Sequence, residues 1–309
     1  MSAARDWGIV LLQDKVAFIT GAARGQGRSH AVRLAREGAA IIAVDACGPV
    51  APDNGYPAST PADLEETARL VEAEGRPIVA RQADVRDSAA LDAVLKEGVE
   101  RLGGRLDVVV ANAGIAARVA TFRAMAPEGF DRVIDVNLMG VVRTVDAALP
   151  EIIRRRGHVV VVASVYAFGN GAGACSYAMS KAAVEQFGRA LRVELVPHGA
   201  SASVAYFGFI DTEMVHRVID ADPVTESMMD SFPKPLRKRV QPSVAGEAIV
   251  RGIERRAPRI IRPRRWAVVS LLRGILGPLS DRQLERDASV EASVRELDAR
   301  EGEEQPTTA

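Results

Sequence analysis

Near the start of the chain, a short apolar segment runs straight into a glycine-rich turn. Residues 15–20 read KVAFIT, a pattern suited to a buried parallel strand, and they lead into TGAARGQG with Gly21, Gly25 and Gly27. A helical pattern follows the turn. Glycines in such a strand–turn–helix unit allow a tight turn and a close backbone approach to a pyrophosphate at the helix N-terminus. The unit therefore predicts a dinucleotide-binding site.

A second apolar run, AAIIAVD, ends on Asp45. A carboxylate at the end of the second strand can bond both ribose hydroxyls of an adenosine, and it repels a 2′-phosphate. The glycine pattern alone is a weak signal. Followed by an acid at the next strand end, it becomes a strong one, and it favours NAD over NADP.

Strand-like and helix-like segments alternate along the chain. This alternation predicts an α/β fold with a doubly wound parallel sheet, Rossmann-like with about seven strands, and helices on both faces. Cofactor and substrate should then meet outside the carboxyl ends of the strands. The predicted strands are 16–20, 41–44, 78–83, 108–111, 159–163, 202–206 and 259–261.

Tyr177 and Lys181 are spaced so that both side chains lie on one face of a helix. A free tyrosine titrates near ~10, and a nearby positive charge lowers that pKa. Bringing it to ~7 needs roughly 4 kcal/mol, at about 1.36 kcal/mol per unit. Lys181 and a cofactor cation are expected to supply this, with Ser164 holding the substrate oxygen. Taken alone, the YxxxK spacing also fits an exposed Tyr and Lys on an amphipathic helix.

The order TGxxxGxG, NAG, Ser and YxxxK resembles the classical short-chain dehydrogenase/reductase family over roughly residues 13–262. The resemblance implies a phosphate-binding turn, a ribose-binding acid, an adenine contact, a nicotinamide clamp and a catalytic tetrad. The implied catalytic residues are Asn137, Ser164, Tyr177 and Lys181. The implied cofactor-binding residues are Gly21, Arg24, Gly25, Gln26, Gly27, Asp45, Asp84, Val85, Asn112, Ala113, Gly114, Tyr177, Lys181, Gly208, Ile210 and Thr212.

The resemblance also implies a role for each catalytic residue. Tyr177 removes the hydroxyl proton while hydride passes to the nicotinamide, and Lys181 lowers the pKa of the tyrosine and binds the nicotinamide ribose. Ser164 positions the substrate oxygen, and Asn137 holds a water that relays the proton. Some relatives place a basic residue at the position of Arg24 for NADP, but the Asp45 carboxylate favours NAD.

Two positions depart from the family pattern after the sixth strand. Ser203 and Phe207 stand where the family usually has Asn and Pro, while Gly208 and Thr212 remain. Proline fixes φ near −65°, whereas Phe207 does not. A nicotinamide clamp of altered shape is therefore expected.

The link between Asp45 and the third strand is longer than usual. It resembles the insertion of actinobacterial enzymes grouped as mycofactocin-coupled short-chain dehydrogenases, in which the insertion covers bound NAD and the cofactor exchanges slowly. The resemblance implies mycofactocin as a candidate electron acceptor. The four prolines at 49, 52, 57 and 61 indicate only a restricted loop, so a solvated surface loop is the alternative.

Residues 1–262 are predicted as a single dinucleotide-binding and catalytic domain with a lid at about 211–240. The alternative for the lid is a mobile surface excursion. Residues 263–309 are predicted as an amphipathic extension with an acidic, partly disordered tail, whose last residues are EGEEQPTTA. The arginine-rich stretch beginning at Arg255 favours docking on the protein itself, with an anionic membrane surface as the alternative.

The net charge of +0 predicts neither nucleic-acid nor membrane attraction. Two distant cysteines, Cys47 and Cys175, indicate no disulfide scaffold, and no signal peptide is visible, so a cytoplasmic location is expected. The four histidines lack metal-ligand spacing, so no metal is expected. Two points stay open: whether His216 approaches substrate from the lid, and whether the Cys175 thiol lines the active site or is simply packed.

Together these features predict an NAD-dependent oxidoreductase that interconverts a hydrophobic secondary alcohol, such as a terpenoid or steroid, and its ketone. The family resemblance further implies a homodimer or homotetramer that pairs through helices 130–145 and 184–195. Deep burial of those helices within one subunit is the alternative. Two other functions remain open: a non-catalytic dinucleotide-binding protein and a membrane-associated lipid carbonyl reductase.

Overall fold

The computed structural model describes residues 12–50, 57–116, 118–230 and 232–300. Seven parallel strands form one sheet in the order β3-β2-β1-β4-β5-β6-β7. The predicted doubly wound, Rossmann-like sheet is therefore confirmed. The strands are Val16–Thr20 (β1), Ala40–Asp45 (β2), Ile78–Gln82 (β3), Val108–Ala111 (β4), His158–Val162 (β5), Ser201–Phe207 (β6) and Arg259–Arg262 (β7).

The central strands form because their sequences are apolar without alternation. Every residue of β1 (VAFIT), β4 (VVVA) and β5 (HVVVV) is buried, as expected for strands covered by helices on both faces. β3 (IVARQ), at the edge of the sheet, leaves its last two residues exposed.

Helices cover both faces of the sheet and bury a separate apolar cluster on each. A π-helical segment, Asp135–Met139, joins the helix Pro127–Ile134 to the helix Gly140–Arg155. The helices are Gly25–Arg36 (α1), Pro61–Ala73 (α2), Ser88–Arg101 (α3), Pro127–Ile134 (α4), Gly140–Arg155 (α5), Cys175–Glu194 (α6), Glu213–Val215 (α7), Pro223–Asp230 (α8), Lys234–Arg237 (α9), Pro242–Glu254 (α10), Arg265–Leu284 (α11) and Ala288–Ala299 (α12).

From β1 to β3 successive strands extend the sheet in one direction, and from β4 to β7 they extend it in the other. β1 pairs with β2 on one side and with β4 on the other, so the connections leave a crevice where these strands end. In open α/β sheets, ligands bind at such a switch point. The glycine turn, Asp45 and the segment beginning at Asn112 all follow strands at this edge.

Two regions lie outside the alternating units. The segment predicted as a lid holds α7, a π-helical turn, α8 and α9, and α12 packs mainly against α8. α12 forms within the stretch predicted as an acidic tail, and Val290, Ser293 and Leu297 are its buried side. Residues 301–309, predicted to be disordered, lie outside the described residues.

Within the described residues, no helix is both long and apolar enough to cross a bilayer. α11 comes nearest to such a helix, but Arg273 interrupts its apolar run.

Candidate active site

The glycine turn has a backbone conformation and close contacts that exclude side chains larger than a hydrogen atom. Gly21 and Gly25 have φ of +66° and +57°, in the left-handed region that favours glycine. A Cβ on Gly27 would lie 1.9 Å from the carbonyl oxygen of Gly21. The turn therefore keeps its backbone bare at the N-terminus of α1, as close contact with a pyrophosphate requires.

Asn112 holds the ends of β1 and β4 together. Its side-chain amide donates to the carbonyl oxygens of Thr20 and Gly21 at 3.0 and 3.2 Å. The Thr20 hydroxyl in turn accepts the backbone N–H groups of Asn112 and Ala113, both at 3.2 Å. A Cβ on Gly21 would come within 2.8 Å of the Ala113 Cα. The NAG element thus supports the glycine turn directly.

Asp45 connects the glycine turn with the insertion that follows β2. One carboxylate oxygen accepts the backbone N–H of Ala23 at 2.9 Å, and the other accepts the Ser59 hydroxyl at 2.6 Å. The Arg24 guanidinium donates to the carbonyl oxygen of Pro57 in the same insertion. Asp45 and Arg24, which are predicted to discriminate NAD from NADP, therefore also bind the end of the insertion that leads into α2.

Asp84 and Val85 follow β3 at the carboxyl edge, as predicted, but their side chains face the protein. The Asp84 carboxylate accepts three hydrogen bonds from the Arg86 guanidinium at 3.1, 3.0 and 2.6 Å. Burial would raise the pKa of Asp84, but these bonds outweigh it and hold the pKa below its usual range. Val85 is buried, and a Cβ on Gly140 would lie 2.5 Å from it.

Lys181 reaches from α6 to the end of β5. Its ammonium donates to the Val162 carbonyl oxygen at 3.0 Å, and only 4% of the residue is exposed. Burial lowers the pKa of Lys181 to about 8. A Cβ on Gly114 would lie 3.3 Å from both the Lys181 ammonium and the Asn137 amide oxygen, so the backbone of this glycine lies close against both groups.

Tyr177 lies beside Lys181, whose ammonium is 5.6 Å from the ring centroid. Burial raises the pKa of Tyr177 above its usual value, and a hydrogen bond with Ser164 acts in the opposite direction. The expectation that Lys181 lowers the pKa of Tyr177 is therefore not met by the protein alone. Loss of water around the phenol outweighs the hydrogen bond with Ser164.

Asn137 lies in the π-helical segment and is fully buried. Its amide oxygen accepts the backbone N–H of Ile115 at 2.7 Å, and its amide nitrogen donates to the Ile115 carbonyl oxygen at 2.9 Å. The same nitrogen donates to the Ser180 hydroxyl at 3.2 Å. The side chain therefore fixes the loop that follows β4 against α6.

The two departures from the family pattern have local structural explanations. Ser203 points into the protein, where its hydroxyl bonds His158 at 2.7 Å and the Ala257 carbonyl. Phe207 stacks on His30 of α1, with ring centroids 6.0 Å apart. Ser203 thus forms hydrogen bonds inside the protein, and Phe207 packs against α1.

The clamp residues after β6 occupy different environments. Ile210 is buried in the core and pairs with Val240, so only its main chain is available to a ligand. Thr212 approaches the glycine turn, since a Cβ on Gly25 would lie 3.5 Å from its methyl group. Gly208 faces Trp266, whose indole nitrogen would be 2.7 Å from a Cβ there.

An aromatic cluster beside the tyrosine was not identified from the sequence. Tyr166 packs edge-on to Tyr177 with centroids 5.7 Å apart. Phe168, Phe209 and Phe232 surround Trp266 at centroid distances of 6.3, 6.4 and 6.5 Å. In a chain that is only 5% aromatic, the placement of Tyr166 and Phe168 after the end of β5, and of Phe209 after the end of β6, is a signal that the sequence already contained.

His216 and Cys175 bond neighbours on their own segments. His216 bonds Asp211 at 2.8 Å and Asp220 at 2.9 Å on the protein surface. The Cys175 thiol meets the Met179 sulfur at 3.6 Å. In the part of the chain that the structure describes, no group of three or more His, Cys, Asp or Glu side chains is placed to hold a metal.

Comparison with known proteins identifies the family. The family model for short chain dehydrogenases matches residues 15–223. An uncharacterized NAD-dependent oxidoreductase of Mycobacterium tuberculosis is 43% identical over 225 residues, which cover 72% of this chain and 78% of the relative. The chain therefore belongs to the short-chain dehydrogenase family, and the prediction of a CH–OH oxidoreductase is confirmed.

Two further relatives are named for the same alcohol. The (-)-trans-carveol dehydrogenase of Rhodococcus erythropolis is 40% identical over 206 residues, covering 66% of this chain and 74% of that protein. The crystal structure of carveol dehydrogenase from Mycobacterium avium in complex with NAD superposes with a TM-score of 0.72 at 38% identity. It covers 82% of this chain and 97% of the other.

Proposed function

We propose that this chain is an NAD-dependent alcohol dehydrogenase that interconverts a hydrophobic secondary alcohol and its ketone. The observation that carries the proposal is the arrangement of Ser164, Tyr177 and Lys181 beside the crevice between β1 and β4. The Ser164 hydroxyl acts to lower the pKa of the phenol, and the ammonium lies 5.6 Å from the centre of the phenol ring. These three groups act on a hydroxyl or carbonyl oxygen.

The cofactor is NAD, which takes up or supplies the hydride when bound. The bare backbone at Gly21, Gly25 and Gly27 fits a pyrophosphate, and the carboxylate of Asp45 fits the adenosine ribose while repelling a 2′-phosphate. The Lys181 ammonium, which lies beside the bare backbone of Gly114, is suited to contact the ribose of the nicotinamide. Asp84 and Val85 are proposed to meet the adenine through their main chains.

In the oxidation direction, Tyr177 accepts the hydroxyl proton of the substrate at its phenol oxygen, and Ser164 donates a hydrogen bond to the same substrate oxygen. The protein by itself raises the pKa of Tyr177, so the phenol needs additional positive charge to act near neutrality. The positive charge of the oxidised cofactor, beside that of Lys181, has the required sign.

Lys181 holds the nicotinamide ribose in this proposal and conducts the proton toward solvent. The side chain of Asn137 is occupied by Ile115 and Ser180, so a water relay through this residue uses its main-chain carbonyl. π-helical segments often occur at functional sites, and this one carries Asn137.

A hydrophobic substrate is favoured by the aromatic cluster around Tyr166 and Trp266. Such side chains offer large apolar surfaces with few competing polar groups. Carveol, for which two relatives are named, is a small apolar alcohol of this kind. We therefore place terpenoid-like secondary alcohols first among candidate substrates.

Slow exchange of the cofactor is a further part of the proposal. The hydrogen bonds of Asp45 with Ser59 and of Arg24 with Pro57 tie the insertion to the residues that meet the adenosine half of NAD. A cofactor enclosed in this way needs an external electron acceptor, for which mycofactocin is the candidate.

A homodimer or homotetramer is proposed as the working form. Three apolar side chains are exposed here: Met139 on the π-helical segment by 39%, and Met179 and Val193 on α6 by 52 and 71%. Exposed apolar side chains on neighbouring helices favour burial against another subunit. Light scattering at micromolar concentration measures the mass directly.

The function is tested with Tyr177→Phe. This change should cut turnover of a secondary alcohol at least ~100-fold, the low end for loss of a general base, while NADH fluorescence still reports cofactor binding. Near-wild-type turnover would remove Tyr177 from the mechanism. A wild-type chain that binds NADH but turns over no alcohol or ketone in a broad panel would instead point to a non-catalytic dinucleotide-binding protein.

A further inference from the structure

Three apolar side chains from distant parts of the chain converge on Gly173. A Cβ placed on Gly173 would lie 3.3 Å from Leu297 and from Val119, and 3.4 Å from Met228. Gly173 precedes Tyr177 by four residues and its carbonyl oxygen accepts the N–H of Ala120. Helix α12 therefore packs a side chain against the segment that leads into α6, four residues before Tyr177.

Arg300, at the end of α12, binds the start of α8. Its guanidinium donates two hydrogen bonds to the Asp222 carboxylate at 2.6 and 2.8 Å. Both side chains are only 17% exposed. Asp222 also accepts the N–H of Val224 at 3.0 Å and so supports the first turn of α8. A bidentate, largely buried pair of this kind is geometrically specific and costly to break.

The other side of α12 binds the loop that follows β4. The Asp298 carboxylate accepts the Thr121 hydroxyl and forms an ion pair with Arg123 at 3.5 Å. Leu297, one residue earlier, is fully buried. α12 thus lies as a strap between α8, which carries Met228, and residues 118–124.

We infer that Leu297 and Arg300 are specificity-determining residues: α12 forms the outer wall of the substrate site, Leu297 limits its size, and Arg300 holds the wall against α8. The inference rests on the proposed function. If Arg300 no longer binds Asp222, α12 no longer holds α8 and the loop after β4 together. The space beside Gly173 then opens to larger alcohols.

Two variants and one control test the strap. Arg300→Met removes the ion pair but keeps an unbranched side chain, and Arg300→Lys restores one charge. Arg295→Met is the matched control, because Arg295 lies on the exposed side of α12 and pairs with Glu291 on the same helix. Amide hydrogen exchange read by mass spectrometry should show α8 exchanging at least ~10-fold faster in Arg300→Met, with Arg300→Lys in between and Arg295→Met unchanged.

Leu297→Ala tests the wall itself. Because a few carbon atoms in an apolar pocket change selectivity by roughly 10–200-fold, kcat/KM for a bulky alcohol should rise at least ~10-fold relative to a small one. NADH binding should stay the same. Equal selectivity in Leu297→Ala and wild type would overturn the wall, and unchanged exchange of α8 in Arg300→Met would overturn the strap. The exchange readout needs no substrate, so it decides the strap even if the wild type oxidises no alcohol.

Discussion

The ammonium of Lys181 donates a 3.0 Å hydrogen bond to the carbonyl oxygen of Val162, the last residue of β5. Burial lowers the pKa of this lysine from 10.5 to about 8. At about 1.36 kcal/mol per pKa unit, holding the charge here costs the folded protein about 3 kcal/mol relative to the unfolded chain. The position that gives Lys181 its proposed catalytic role therefore comes at the expense of stability.

Lys181→Met should stabilise the cofactor-free protein by about 1 kcal/mol at pH 7, since part of the gain is offset by the unpaired Val162 carbonyl. Activity should be lost. In wild type the cost is fully present below pH 8 and is relieved as pH rises toward 10, because the folded state then releases its proton before the unfolded state does.

Urea unfolding from pH 7 to 10 measures the difference in stability between the two proteins. The advantage of Lys181→Met should fall as pH rises and should reverse in sign toward pH 10, because the relieved cost of about 3 kcal/mol exceeds the starting advantage of about 1 kcal/mol. Lys96→Met, at an exposed position on α3, is the control and should show no such trend. A constant difference over this range would contradict the burial argument.

Asp45→Ala should narrow the preference for NAD over NADP by at least about tenfold, because the carboxylate no longer repels a 2′-phosphate. Asp45→Ala also breaks the hydrogen bond between this carboxylate and Ser59, so it changes how the insertion is held as well as the charge of the site. Ser59→Ala isolates that second effect. Titration of both cofactors with all three proteins separates them: a preference that shifts equally in both variants would assign selectivity to the insertion.

Wild-type protein should carry NAD or NADH through gel filtration, because the insertion must detach before the cofactor leaves. Ser59→Ala removes a hydrogen bond to a charged group and should speed release about tenfold. Stopped-flow displacement of NADH fluorescence measures the rate. Ser88→Ala, an exposed serine on α3, should release at the wild-type rate. Protein isolated without nucleotide, and turning over freely with added NAD, would make the insertion a plain surface loop.

Acid should destabilise the protein through His158. Burial, with repulsion from Arg256 and Arg192, lowers its pKa from 6.5 to about 3, and its ring nitrogens bond the hydroxyls of Ser201 and Ser203. Between pH 6.5 and 3 the unfolded chain binds a proton that the folded one excludes, so stability falls as pH falls. His158→Gln should flatten the dependence of the denaturant midpoint on pH between 7 and 4. His198→Gln, at an exposed site, should keep the wild-type slope.

Much of the fold follows from local pattern. β1, β4 and β5 were predictable to within a residue because fully buried strands are uninterrupted apolar runs. The same holds for the glycine turn, whose positive φ values and absent side chains are properties of the residue type itself. The positions of Asp45 and Asn112 at strand ends follow from those strands.

The environment of each functional group could not be predicted in the same way. That Ser59 binds Asp45, that Asn137 clamps Ile115, and that the pKa of Tyr177 is raised depend on how closely other segments approach. Burial and hydrogen bonding are properties of the surroundings of a residue, and a pattern of residue types does not contain them.

By itself, then, the sequence determined the order of elements, the class of cofactor site and the candidate residues for hydride-linked acid–base chemistry. Only the tertiary structure decided that α12, predicted within an acidic and partly disordered tail, returns to place Leu297 beside Gly173 and Arg300 on Asp222. The physical reason is the sequence distance over which each kind of interaction acts. Periodicity and turn chemistry act within a few residues, whereas these contacts join residues 78 or more positions apart and form only after the whole chain has packed.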